Sequence, residues 1–211
     1  MCCRGYSLVT IFRIRNIMEG KLIIICAPSG SGKSTIIGRI IDDERLRLAF
    51  SVSATTRPRR GSEVDGIDYY YLSEDEFKRR IQADEFAEYQ EVYPGRFYGT
   101  LKSEIARINA DGKNVVLDID VLGGMNVKRI YGDHALSIFI APPSIEVLRE
   151  RLVKRGTDSA EDIERRIGKA EFELGYKDQC DHVVVNDDLE TAVREVHHLV
   201  DTFVNPNSEK E

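Results

Sequence analysis

Apolar residues are distributed along this chain in two ways, and the contrast divides it into segments. Leu22-Ile23-Ile24-Ile25 is an unbroken run of branched apolar residues, the pattern of a strand covered on both faces of a parallel sheet. Comparable short runs recur at Phe50–Ser53, Asn114–Ile119, Ala135–Ile140 and His182–Val185. Between them, apolar positions return at helical spacing in Ile36–Ile41, Leu101–Asn109 and Val121–Tyr131. Ser144 follows Pro142-Pro143 and can N-cap a helix to Lys154-Arg155, with Gly156 as its stop. Ser159-Ala160-Glu161-Asp162 reads as a capping box opening a charged helix to about Lys177, and a last helix spans Leu189–Val204. Strands alternating with helices predict an α/β fold with a central parallel sheet and right-handed crossovers.

Residues 54–98 break that alternation. Ala54-Thr55-Thr56-Arg57-Pro58-Arg59-Arg60-Gly61-Ser62 is a basic, proline-interrupted loop that cannot be helix interior. Six of the nine tyrosines follow, at Tyr69, Tyr70, Tyr71, Tyr89, Tyr93 and Tyr98. Short aromatic runs punctuated by Asp65-Gly66 and Pro94-Gly95 predict a small antiparallel sheet, with a capping-box helix starting at Ser73. This is an inserted lobe rather than more of the parallel core.

Composition narrows the class. The chain is 42% hydrophobic and 31% charged, with a net charge of −6, and its first seventeen residues hold three arginines and no acid. The body is therefore more acidic still, which argues against nonspecific nucleic-acid binding and against attraction to anionic membranes. No apolar run approaches the roughly 20 residues of a membrane span. Cys2, Cys3, Cys26 and Cys180 show no metal-ligand spacing, pointing to a reducing, cytoplasmic setting without disulfides. Residues 1–17 read as an extension outside the core, with Met18 as the natural start.

The chemistry begins directly after the first strand. Ala27-Pro28-Ser29-Gly30-Ser31-Gly32-Lys33-Ser34-Thr35 links it to the first helix, the setting a phosphate-binding P-loop requires. Glycines let backbone N–H groups turn inward on phosphate oxygens, while Lys33 reaches the β- and γ-phosphates of a triphosphate. Ser34 is a ligand for Mg²⁺, and Asp118, at the end of a later strand, is a second candidate. Ala27 replaces the glycine that opens the general P-loop pattern. The base-reading Asn-Lys-x-Asp of GTPases is absent, although Asp120-Val121-Leu122-Gly123 matches their short Asp-x-x-Gly. The length fits a small kinase acting on a small molecule.

Two arginine groups are candidates for anion binding. Arg57, Arg59 and Arg60 crowd one loop beside the tyrosine-rich lobe, and a guanidinium fork matches phosphate bidentately. Arg149, Arg151, Arg155, Arg165 and Arg166 flank Gly156-Thr157-Asp158. They form either a mobile lid over a transferring phosphoryl group or surface pairs with Glu161 and Asp162.

Phe50–Arg60, Glu63–Tyr69, Phe97–Thr100, Leu117–Asp120, Phe139–Ser144 and Val185–Asp188 together strongly resemble the guanylate kinases, over roughly Lys21 to Phe203. That family's Ala-Pro-Ser-Gly-x-Gly-Lys-Ser loop accommodates Ala27. The resemblance implies a P-loop three-layer fold carrying an inserted mixed α/β GMP-binding lobe and a helical lid. The core is expected over 18–52, 104–143 and 177–205, the lobe over 53–103, the lid over 144–176 and a polar tail over 206–211.

Its implied reaction is the reversible, Mg²⁺-dependent transfer of a phosphoryl group from ATP to GMP, and also to dGMP, within purine metabolism. The resemblance assigns ATP to residues 27–35 and Asn186. It assigns the GMP phosphate to Arg57, Arg60, Tyr69 and Tyr98, and the guanine to Ser53, Glu88, Thr100 and Asp120. Lys33, Arg57 and the lid arginines Arg151, Arg155 and Arg166 serve catalysis. Guanine presents N1–H and N2–H₂ donors on one edge, which a carboxylate accepts together, whereas adenine presents an acceptor there. A non-catalytic interaction module of the same fold would not need Gly32-Lys33-Ser34, and another nucleoside monophosphate kinase would not need that guanine-reading set.

Overall fold

The computed structural model describes residues 20–156 and 158–206, except the side chain of Tyr93. The expected extension at 1–17, and all of the tail after Pro206, lie outside the described residues. Five parallel strands form the main sheet in the order β2-β7-β1-β8-β9: β2 is Leu48–Phe50, β7 Asn114–Asp118, β1 Leu22–Cys26, β8 Ala135–Ala141 and β9 His182–Val185. All five residues of β1 are buried, and successive side chains enter opposite layers. Ile23 and Ile25 pack with Ile36, Ile40, Val196 and Val200, on one side under helices α1 (Lys33–Ile40) and α7 (Leu189–Val204). Leu22, Ile24 and Cys26 pack with Ile105, Ile108, Val127 and Ile130, on the other side under α3 (Lys102–Ala110) and α4 (Val121–Tyr131). Burying each branched side chain stabilises the sandwich by about 1.5–3 kcal/mol. The expected three layers are there.

A second sheet runs β4-β3-β6-β5, with β4 Tyr70–Tyr71, β3 Ala54–Thr55, β6 Arg96–Leu101 and β5 Phe86–Tyr93. It differs from the all-antiparallel expectation, because β3 and β4 pair in parallel while β3–β6 and β5–β6 are antiparallel. Phe77, on helix α2 (Glu74–Gln82), stacks on Phe86 at 4.3 Å and on Phe97 at 5.4 Å, giving this sheet its own core. Helices α5 (Ile145–Arg155) and α6 (Ala160–Leu174) pack through Leu148, Leu152, Ile163 and Ile167.

Two boundaries shift, each for a local reason. The strand expected at Phe50–Ser53 is Leu48–Phe50: Ser51 N–H still donates to Val116 O at 2.9 Å, but Ser53 O has turned to accept from Tyr70 N–H. The helix expected to reach Lys177 stops at Leu174, where Gly175 caps it. Both Ser73 and Ser159 do cap their helices, but the reciprocal half of each box is redirected. Glu76 turns to Arg79 and Arg80, and Asp162 accepts from the Ser159 hydroxyl.

Candidate active site

A cleft of about 1110 Å³ opens where the carboxyl ends of β1 and β7 face the second sheet and the α5–α6 pair. It is lined by nearly all of the loop after β1, by Arg60, Tyr69, Glu88, Tyr98 and Asp120, and by Arg151, Arg155 and Arg166. More cations than carboxylates face it, reversing locally the chain's net charge of −6. That is the electrostatics of a polyanion site in an acidic protein.

The loop's shape comes from two glycines. Gly30 and Gly32 hold φ of 95° and 92°, a left-handed conformation that costs a side-chain-bearing residue strain. Gly32 caps α1, so the amides of the helix's first turn lie beside the cleft. From behind, the Asn186 amide donates to Ser31 O at 2.7 Å, and Arg151 donates to Asn186 O at 2.9 Å. A methyl at Gly32 would lie 2.3 Å from Asn186 Nδ2. Gly32→Ala should therefore cost about 2 kcal/mol or more in a denaturant titration, and an unchanged midpoint would contradict this bracing.

Lys33 lies in the cleft in an ion pair with Asp118, at the end of β7. Ser34 and Thr35 are exposed on the same wall. The Ser34 hydroxyl and the Asp118 carboxylate are hard oxygen donors, and among the described residues no three His, Cys, Asp or Glu side chains converge. This fits Mg²⁺, which is held by one or two protein oxygens together with water and nucleotide phosphates rather than by a protein cage. Arg166 donates to Ser29 Oγ at 2.5 Å and to Asp158 Oδ1 at 3.1 Å, joining α6 to the loop. Arg165 pairs with Asp162, whereas the Arg155 side chain makes no hydrogen bond or ion pair among the described residues.

Across the cleft, Glu88 is 8% exposed, and its Oε1 accepts the Thr100 hydroxyl at 2.8 Å. Burial, with the neighbouring Asp120 charge adding to it, raises its pKa to about 7. Glu88 Oε2 has room because residue 123 is glycine; a methyl there would lie 2.8 Å away. Asp120 N-caps α4, accepting Gly123 N–H at 2.9 Å. Ser53 lines the same wall, and the Tyr69 and Tyr98 rings meet edge-on at 6.1 Å.

Outside the P-loop, three sequence-predicted residues sit one layer back. Thr100 is fully buried behind Glu88. Arg57 is 6% exposed and held bidentately by Glu63, both bonds at 2.8 Å, with Tyr69 and Tyr71 rings 5.0 and 5.8 Å away. Its guanidinium is pushed up in pKa by that carboxylate, and Glu63 is pulled down to about 2 by Arg57 and the Tyr71 hydroxyl. Asn186 likewise supports the loop instead of lining the cleft. Sequence reading missed Gln90, Arg96, Lys169 and Glu173, all on the cleft wall. Lys169 and Glu173 are i,i+4 partners on α6, and only packing reveals that this face turns inward.

Comparison with known proteins yields one consistent grouping. A family model described as "Guanylate kinase" matches residues 19–203. Curated guanylate kinases resemble the chain over nearly their whole lengths. That of Porphyromonas gingivalis is 56% identical over 184 residues, covering 87% of this chain and 98% of the relative. That of Thermotoga maritima is 46% identical over 184 residues, covering 87% of each. The crystal structure of guanylate kinase from Anaplasma phagocytophilum superposes with a TM-score of 0.69 at 28% identity, covering 88% of this chain and 87% of that one. A P-loop core, a second sheet with a buried carboxylate and a match of this extent lead to one conclusion: the chain belongs to the guanylate kinase family.

Proposed function

We propose that this enzyme transfers the γ-phosphoryl group of ATP reversibly to the phosphate of GMP, giving ADP and GDP, with dGMP as a second acceptor because its base and phosphate are identical. The observation that carries this reading is a P-loop and a buried carboxylate on opposite walls of one cleft. The loop amides, Lys33 and the start of α1 hold the donor phosphates. Arg60, Tyr69 and Tyr98 hold the acceptor phosphate, with the Arg57 guanidinium, braced by Glu63, behind them. Glu88, Thr100, Ser53 and Asp120 read guanine.

Phosphoryl transfer leaves little for an acid or base to do, so rate comes from positioning and charge stabilisation. Lys33 and Arg151, Arg155 and Arg166 surround the group in flight. When bound by Ser34 and Asp118, Mg²⁺ would neutralise phosphate charge and orient the donor. The lobe over 53–103 and the lid over 144–176 close on the substrates and exclude water, which would otherwise hydrolyse ATP. We assign the reaction to purine nucleotide metabolism in the cytoplasm. Nothing about the cleft favours a non-catalytic module.

The test uses Glu88's own titration. Only its ionised form accepts both N1–H and N2–H₂, and its pKa stands at about 7. The KM for GMP should therefore rise about tenfold from pH 8 to pH 6, while that for ATP stays constant. Guanosine, as a competitive inhibitor, controls for titration of GMP's own phosphate. A flat guanosine profile over this range would remove Glu88 from base reading.

A further inference from the structure

Gln90 lies two residues beyond Glu88 on β5, so the two side chains share a face of the strand, and both line the cleft with Asp120. In the strand ladder Gln90 stands opposite Tyr98, as Glu88 stands opposite Thr100. With its nitrogen turned toward Asp120, the Gln90 carboxamide donates to Oδ2 at 2.5 Å and reaches Oδ1 at 3.3 Å. Asp120 Oδ1 also accepts Gly123 N–H, so this carboxylate is fixed from both sides.

Glu88 converges on the same point. A methyl built at Gly123 would lie 2.8 Å from Glu88 Oε2 and 3.6 Å from Asp120 Oδ1. Two carboxylates meeting at one backbone position repel, and an amide donor on one of them lowers that cost. Gln90 is the side chain that supplies it.

We propose that Gln90 is a positioning residue for base selection, fixing Asp120 beside Glu88 as the acceptor for the exocyclic 2-amino group of the purine. This rests on the guanylate kinase reading and deepens it. The 2-amino group carries two hydrogens. Glu88 takes N1–H and one of them, and the other is directed to the Asp120 carboxylate that Gln90 steadies. A 6-oxopurine nucleotide without that amino group, IMP, keeps N1–H and loses both amino contacts.

The experiment compares wild type with Gln90→Met, which keeps the side chain's length and removes the donor. kcat/KM is measured for GMP and for IMP, together with the KM for ATP and the melting temperature. The GMP-to-IMP preference should fall about five- to tenfold, the worth of one hydrogen bond at a charged acceptor. The KM for ATP should not move, and the melting temperature should fall by no more than the loss of one hydrogen bond explains. An unchanged preference would overturn the proposal. So would a fall in melting temperature with the GMP, IMP and ATP constants worsening together, the mark of a merely structural role. A wild-type enzyme that did not phosphorylate GMP would overturn the functional reading instead.

Discussion

Lys33→Ala is expected to lower kcat on the order of 10³-fold or more while leaving a folded protein. The lysine is the first residue of α1, its side chain lies in the cleft, and its partner is Asp118 rather than the core. On the proposed function, an ammonium there would meet the β/γ-phosphates and track the charge that develops as the phosphoryl group leaves. Two of the lid arginines are already engaged, Arg151 by Asn186 O and Arg166 by Ser29 and Asp158. Removing one partner of a partly exposed ion pair should change stability by less than about 1 kcal/mol. Circular dichroism and the melting temperature should therefore match wild type while single-turnover rates collapse. Turnover within tenfold of wild type would contradict the P-loop mechanism.

Glu88→Gln should act on the other substrate and in two opposite directions. An amide offers one acceptor and a donor where guanine presents only donors, leaving a buried mismatch. Loss of kcat/KM for GMP should be on the order of 10²-fold or more, with the KM for ATP unchanged. The unliganded protein, by contrast, should become more stable at pH 8. Glu88 has its pKa raised from 4.5 to about 7, so the folded state holds a proton that the unfolded chain has released between those values. Stability contributed by this group is thus complete below about 4.5 and lost as pH rises to 7, a cost on the order of 3 kcal/mol above it. A neutral amide does not carry that cost. The variant's advantage in denaturant should be clear at pH 8 and vanish near pH 4.5. Equal stability at both pH values would show that burial does not penalise the carboxylate.

What the sequence made legible was whatever a local pattern enforces. A run of branched residues ending in Ala-Pro-Ser-Gly-Ser-Gly-Lys-Ser can satisfy its backbone and its glycines in few ways, and β1, the loop and α1 follow the expectation closely. Ser73, Ser144 and Ser159 announce their helices because the hydroxyl has a nearby amide to accept from. Partnership was harder to read. Arg57 looked like one of three arginines awaiting a phosphate, but Glu63, six residues on, holds it from behind. Arg166, spaced to pair with Asp162, instead reaches Ser29 and Asp158. The parallel pairing of β3 with β4 depends on how the chain between them folds back, and strand composition does not encode that. Gln90, Lys169 and Glu173 belong to the cleft only because tertiary packing turns their faces inward.

On the proposed function, one cleft joins an ATP donor site to an acceptor site built for guanine. The most direct test of this is a coupled assay of ADP release with ATP and Mg²⁺ against GMP, AMP, CMP and dTMP at equal concentration. Turnover is expected with GMP, and rates for the other three lower by about 10⁴-fold, the discrimination available to a site whose buried polar groups only the right base can pair. AMP or a pyrimidine nucleotide phosphorylated as fast as GMP would contradict it.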